Sequence, residues 1–192
     1  MSKGIKKLAH DVLILAEMTG EMDDYLRSDV LFWSMMKGDM PKLTLGGALM
    51  RQHRLLALRS LLSGEEQRLL DTAVAQFQQS LTEKVVRFEQ KAGRELAARI
   101  RQWGEYLKDL QREEGAAANY RSAVETRVMI TAVTDKLSQS PYQLDPHNSQ
   151  QIDLLDGALR RQWQTGPFVW PEAWQPAYPM EAYWWLYGCV QG

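Results

Sequence analysis

Three closely spaced basic residues, Arg51, His53 and Arg54, have the clearest chemical use in this sequence. They lie in the stretch from 40 to 64, which contains no Asp or Glu. Arginine binds a carboxylate or phosphate group through two parallel hydrogen bonds, so this stretch predicts a site for an anionic ligand or partner. The alternative is that these cations pair with acidic side chains from neighbouring helices.

An aromatic segment near the C-terminus is the second candidate site. Nine of the 18 aromatic residues lie between Trp163 and Tyr187, where four prolines separate them. Trp170, Trp174 and Tyr178 are candidate contacts for a ligand or partner, because Trp and Tyr give a large contact area at low entropic cost. The alternative is that the segment folds back and covers an apolar groove of the helices.

The histidines and clustered acids do not form a recognised metal site. His10, His53 and His147 are far apart, and neither His-Glu-x-x-His nor Glu-x-x-His occurs. The acids at positions 23, 24 and 29 do not have the spacing of a calcium-binding loop, and those at 23 and 24 suit the positive end of a helix dipole. We therefore expect no bound metal.

Motifs for nucleophilic catalysis and phosphate binding are also missing from the sequence. Gly46 and Gly47 are not followed by the Lys and Ser or Thr of a phosphate-binding loop. Cys189 has no catalytic signature around it, and no Gly-x-Ser-x-Gly sequence occurs. The sequence thus predicts neither a cofactor nor catalytic activity.

Charge and cysteine content restrict the class of protein. The 23 basic and 24 acidic residues are mixed along the chain, whereas a nucleic-acid-binding surface needs a basic excess, so no nucleic-acid partner is expected. The single cysteine, Cys189, cannot form a disulfide within the chain, which favours a cytoplasmic protein. The apolar run at 12–16 is too short for a signal peptide or membrane span, so no membrane partner is expected.

A long apolar stripe is the main architectural feature that must position these residues. From Leu70 to Leu110 apolar residues recur about every 3.6 positions, the period of a straight α-helix. Ser63 and Glu66 predict a capping box at its start, and Glu95 and Arg99 predict an ion pair on its outer face. One unbroken helix from Glu65 to Arg112 would be about 70 Å long, whereas a compact domain of this size has a radius of gyration of about 16 Å.

This mismatch leaves two interpretations of the stripe. Either it breaks near one of the interior glycines, Gly93 or Gly104, or it is a single helix that projects or pairs with another chain. Periodicity and capping residues predict further helices over 3–18, 21–36, 45–62, 116–138, 146–165 and 179–187. The helix after Thr44 has leucines on two sides, so we place it centrally.

These observations predict an all-α bundle of about five to six helices with one long central helix. We expect a helical domain over 1–165, with the aromatic, proline-rich segment 166–192 and its short terminal helix packed on it. The favoured function is non-catalytic protein–protein interaction or self-association, with a protein partner or a second copy. The alternative is a binding protein or enzyme for an anionic or aromatic small molecule, with its site between the central basic helix and the aromatic segment.

Overall fold

The computed structural model describes residues 3–113 and 115–190, which form an all-α helical bundle with a small two-stranded sheet. The α-helices are α1 (Lys3–Gly20), α2 (Met22–Arg27), α3 (Leu45–Ala57), α4 (Gly64–Glu83), α5 (Val85–Arg112), α6 (Tyr120–Leu137) and α7 (Pro146–Arg160). The strands are β1 (Trp163–Phe168) and β2 (Tyr187–Val190), and short 3-10 helices span Arg59–Leu61, Ala116–Asn119, Glu172–Ala177 and Trp184–Leu186. Residues 1–2 and 114 of the predicted domain 1–165, and residues 191–192 of the predicted segment 166–192, lie outside the described residues.

Two central helices organise the packing of the others. α5 has 28 residues and contacts α2, α3, α4, α6 and α7, which confirms the prediction of one long central helix. α3 contacts α1, α5 and α6, so its two-sided leucine pattern is also explained. Apolar side chains from all seven helices and from the C-terminal segment join in one buried core.

The long apolar stripe is divided between α4 and α5 at Lys84, and not at Gly93 or Gly104. The predicted capping box is present, since Ser63 N donates to Glu66 Oε2 at 2.7 Å and Ser63 Oγ accepts from Glu66 N at 3.3 Å. α4 packs mainly on α1, whereas α5 packs mainly on α6 and α7, so the two parts of the stripe cover different neighbours. Lys84 interrupts the helix with φ −129° and ψ 42°. Lys84 Nζ marks the junction by pairing with Asp23 Oδ1 at 2.8 Å.

The second predicted helix is much shorter than expected, because α2 ends at Arg27 instead of continuing to position 36. The Lys91 amine takes the carbonyl oxygens of Ser28 and Val30 at 2.8 and 2.7 Å, which a helix would use internally. Trp33 pairs with Leu43 in an isolated antiparallel bridge. These tertiary contacts override the helical spacing of the apolar residues in this stretch.

The C-terminal prediction is wrong in two places. α7 ends at Arg160 and not near Gly166, because Trp163–Phe168 pairs as strand β1 with β2 in antiparallel order. The expected helix over 179–187 is reduced to the 3-10 helix Trp184–Leu186. Gly188 allows the close pairing, since a β-carbon there would lie 2.0 Å from Gln164 O.

Among the described residues, no helix has both the length and the apolar character required to cross a membrane.

Candidate ligand sites around the central helix

Arg51 and Arg54 of α3 both form ion pairs with a single carboxylate of α1, that of Asp11. Thr44 begins the helix by accepting a hydrogen bond from Gly47 N at 3.0 Å. Arg51 donates from Nε to Asp11 Oδ1 at 3.2 Å and from Nη1 to Gly47 O at 3.1 Å. Arg54 Nη2 lies 2.9 Å from Asp11 Oδ2, at ion-pair distance but without hydrogen-bond geometry. The structure thus contains the pairing with a neighbouring acid that was the alternative to an anion site.

The C-terminal segment encloses Arg54, whose side chain is 3% exposed. Its guanidinium carbon lies 3.9 Å from the ring centre of Trp174 and 5.8 Å from that of Trp170. Trp174 donates to Gly4 O at 3.1 Å, and Trp170 donates to Arg121 O at 3.3 Å. Cation–π contacts are strongest where water is excluded, so this cluster fixes the segment against α1 and α3.

Tyr178 completes the aromatic cover over α3. Its ring is fully buried and packs edge-on against Trp170 and Tyr183, with centroids 5.1 and 5.0 Å apart. Burial raises the pKa of its hydroxyl, which has no hydrogen-bond partner among the described residues. The structure places all three predicted aromatic residues in the core, where a large ring stabilises the fold by roughly 1.5–3 kcal/mol.

Glu95 and Arg99 form the predicted ion pair, but they lie inside the bundle and not on its outer face. Glu95 is fully buried and accepts from Leu45 N at 2.7 Å, from Gly46 N at 3.0 Å and from Arg99 Nε at 3.0 Å. This carboxylate therefore occupies the positive N-terminus of α3. A β-carbon at position 46 would lie 2.7 Å from Glu95 Oε1, which explains a glycine at the start of this helix.

A cavity of about 500 Å³ opens beside this network and is lined by Arg51, Arg99, Lys42 and Glu125, among others. Arg51 and Arg99 are already paired with Asp11 and Glu95, and Glu125 adds a negative charge to a wall that also contains Lys42. The cavity therefore offers an anion no arginine that lacks a carboxylate partner.

His53 points away from the two arginines and contacts the C-terminal segment. Its Nε2 lies 2.8 Å from Ala177 O, and its ring contacts those of Tyr178 and Tyr183 at 5.5 and 5.8 Å. Because a carbonyl only accepts hydrogen bonds, Nε2 carries the proton in this contact. Nδ1 is then an acceptor whenever the ring is neutral.

His53 lines a pocket of about 220 Å³ between α3, α4, α6 and Tyr183, which we call the His53 pocket. Its apolar residues are Leu49, Met50, Leu56, Phe77, Leu81, Val128 and Ala132. Its polar residues, besides Tyr183, are Gln52, His53, Gln78, Asp135, Lys136 and Gln139. An apolar floor with a few convergent polar groups is the usual composition of a small-molecule site.

Asp135 and Tyr183 are the residues of this pocket that the sequence did not indicate. Asp135 is exposed, but partial desolvation by the pocket wall still raises the pKa of its carboxyl, while the nearby charges of His53 and Arg127 act to lower it. Burial and the charge of Asp135 raise the pKa of Tyr183 to about 12. Asp135 has neither a hydrogen bond nor an ion pair among the described residues, so its carboxylate is available to a ligand.

Among residues 3–113 and 115–190, no group of three or more His, Cys, Asp or Glu side chains is arranged to hold a metal ion. Comparison with known proteins gives no match to a protein-family model, to a curated protein or to a solved structure. The site must therefore be interpreted from its own chemistry.

Proposed function

We propose that this protein binds a small molecule in the His53 pocket, with an aromatic or short apolar body and an ammonium or other N–H donor group. The observation that carries the proposal is the Asp135 carboxylate, which lines the same pocket as seven apolar side chains and has no partner among the described residues. The pocket lies between α3, α4 and α6, and Tyr183 is its only lining residue from the C-terminal segment, so it shares His53 but neither Arg51 nor Arg54 with the ligand site of the alternative sequence hypothesis. No catalytic step is part of this proposal.

The charges around the pocket favour a donor group over an anion. Asp135 is an acceptor, and so is His53 Nδ1 whenever the ring is neutral. Lys136 also lines the pocket, but its ammonium group lies 5.6 Å from the ring centre of Tyr142, which is not a lining residue. Tyr183 and Phe77 supply aromatic surface beside Asp135. An ammonium group near a carboxylate and aromatic rings gains both ion pairing and cation–π attraction.

Isothermal titration calorimetry with phenethylamine, tyramine and related aromatic amines tests this assignment. Wild-type protein should bind at least one of them, and Asp135→Asn should weaken binding by about tenfold or more because it removes the acceptor charge. Asp153→Asn is the matched control, since Asp153 is exposed on α7. Absence of binding across the panel, or equal binding by both variants, would show that the pocket does not have this role.

Self-association is a second candidate function, favoured by a groove between α5 and α7. The groove has a volume of about 350 Å³, and one of its walls is Leu154, which is 75% exposed. Arg101, Lys108 and Glu105 also line it, so its surface carries both signs of charge. A second copy turned by a two-fold axis would place its Leu154 in this groove and oppose unlike charges.

Sedimentation velocity of Leu154→Glu and Leu13→Glu distinguishes this interface from general surface hydrophobicity. Leu13 is also exposed, but it lies on α1. The wild type and Leu13→Glu should be dimers and Leu154→Glu a monomer. A monomeric wild type at 100 μM would exclude the proposal.

For the cellular location of the protein we keep the cytoplasm as a proposal, since the only cysteine in the sequence is the exposed Cys189.

A further inference from the structure

Lys91 is a buried cation without a carboxylate partner. It is 1% exposed, and its amine donates to Ser28 O at 2.8 Å and to Val30 O at 2.7 Å. A third acceptor, Ser28 Oγ, lies at 3.4 Å, and the Tyr25 ring centre lies 4.1 Å away. No ion pair to Lys91 is present among the described residues. A buried charge of this kind is costly unless an opposite charge compensates it.

Two further cations share the surroundings of Lys91. Arg87 and Arg94 lie four residues before and three residues after it, which places all three on one face of α5. They line a cavity of about 380 Å³ between α5 and the chain around Ser28, which we call the Lys91 cavity. Asp29 is its only acidic lining residue, and Arg87 and Arg94 have no ion pair among the described residues.

The electrostatic balance at Lys91 is dominated by burial. Burial is the main cause that lowers the pKa of Lys91 to about 8, and Arg94 and Arg87 lower it further. Asp29 and Glu95 act in the opposite direction, but Glu95 is already bonded to the α3 N-terminus and to Arg99. The cavity thus retains an excess of positive charge that the protein itself does not neutralise.

We propose that the Lys91 cavity binds a divalent oxyanion, the phosphate or sulfate group of a small soluble molecule, between Arg87 and Arg94. The two guanidinium groups donate hydrogen bonds to the oxyanion, since guanidinium geometry matches that of tetrahedral oxyanions. Lys91 supplies charge and not a direct hydrogen bond, because its three donors are directed at Ser28 and Val30. This site is separate from the His53 pocket and does not depend on the function proposed there.

Calorimetric titration with sodium sulfate and sodium phosphate, at ionic strength held constant with sodium chloride, tests the site. The wild type should bind both anions, and Arg87→Gln/Arg94→Gln should lose at least about tenfold in affinity. Arg68→Gln/Arg121→Gln removes the same charge from two other exposed positions and should bind as the wild type does. Equal loss in both double variants would indicate only a general charge effect and would overturn the proposal, as would absence of binding by the wild type.

Two further measurements examine the role of Lys91 and the source of the oxyanion. Sulfate does not titrate near pH 8, so its binding at pH 8 should take up about half a proton as the Lys91 amine becomes fully charged. Uptake is obtained from titrations in buffers of different ionisation enthalpy. The proton uptake should disappear in Lys91→Met, and uptake that persists would remove Lys91 from the site.

Binding to vesicles with phosphatidic acid, without binding of free phosphate, would overturn the assignment to a soluble ligand.

Discussion

Around α3, buried guanidinium groups contact carboxylates, whereas the Lys91 ammonium contacts carbonyl oxygens, a hydroxyl and an aromatic ring but no carboxylate among the described residues. Asp11 serves Arg51 and Arg54, and Glu95 serves Arg99. The long helix α5 contributes to both regions, since Lys91 lies one turn before Glu95 on it. In the α3 region every buried guanidinium group contacts a carboxylate, and these contacts fix four elements relative to one another. The Lys91 region keeps a positive charge beside an open cavity and has no carboxylate contact among the described residues.

This difference separates a structural use of buried charge from a binding use. A paired buried charge is sensitive to removal of its partner, because the remaining ion cannot regain water. An unpaired buried charge already costs stability, and an external anion can recover part of that cost. Stability measurements on each region can therefore test the distinction.

The largest effect is expected at Asp11. Asp11→Asn keeps the shape of the side chain but leaves Arg51 and Arg54 without a counter-charge, so unfolding free energy should fall by about 3–5 kcal/mol. Urea denaturation followed by circular dichroism measures the loss.

The matched control for Asp11 is Asp71, which pairs with the exposed Arg59 at 2.6 Å. Asp71→Asn should cost less than about 1 kcal/mol, because exposed ion pairs contribute little. If both substitutions cost the same small amount, the α3 network does not have the structural role assigned to it.

The difference between the two regions also shows how much of the structure can be predicted from the sequence. The Glu95–Arg99 spacing predicted an ion pair, but spacing alone does not say which face of α5 is covered, and the fold buries this pair under α3. The capping box at Ser63 and the helix start after Thr44 were recognisable because capping depends on residues within one turn. Local signals therefore predicted most helix starts.

Contacts between distant residues account for what the sequence did not predict. The break at Lys84 depends on which helices α4 and α5 pack against, and the β1–β2 pair joins residues 19 to 27 positions apart. The His53 pocket requires α3, α4, α6 and the C-terminal segment together, so Asp135 and Tyr183 had no motif to mark them. In the sequence, nothing distinguishes Lys91 from any other lysine in a helix.

A smaller effect is expected at the N-terminus of α3. Gly46→Ala would bring a β-carbon to 2.7 Å from Glu95 Oε1 and 3.1 Å from Met129 Cβ, so overpacking should cost about 1–3 kcal/mol. Gly93→Ala, inside α5 with nothing within 4 Å, should instead stabilise the protein by about 0.5–1 kcal/mol. Thermal and urea unfolding measure both, and a stabilising Gly46→Ala would contradict the close approach of Glu95 to α3.

The smallest effect is the pH dependence caused by Lys91. Its folded pKa of about 8 lies below the ordinary value of 10.5, so between these values the unfolded chain binds more protons than the native protein. Stability should therefore rise with pH in this window, by about 1 kcal/mol per pH unit, and Lys91→Met should abolish this contribution. Buried Tyr25 and Tyr120 have raised pKa values, so above about pH 10 they make stability fall with pH. The free energy of urea unfolding is therefore compared between the wild type and Lys91→Met from pH 8 to 9.5. Equal slopes in the two proteins would mean that the Lys91 charge is compensated within the fold, and the contrast with Arg54 and Arg99 would then be lost.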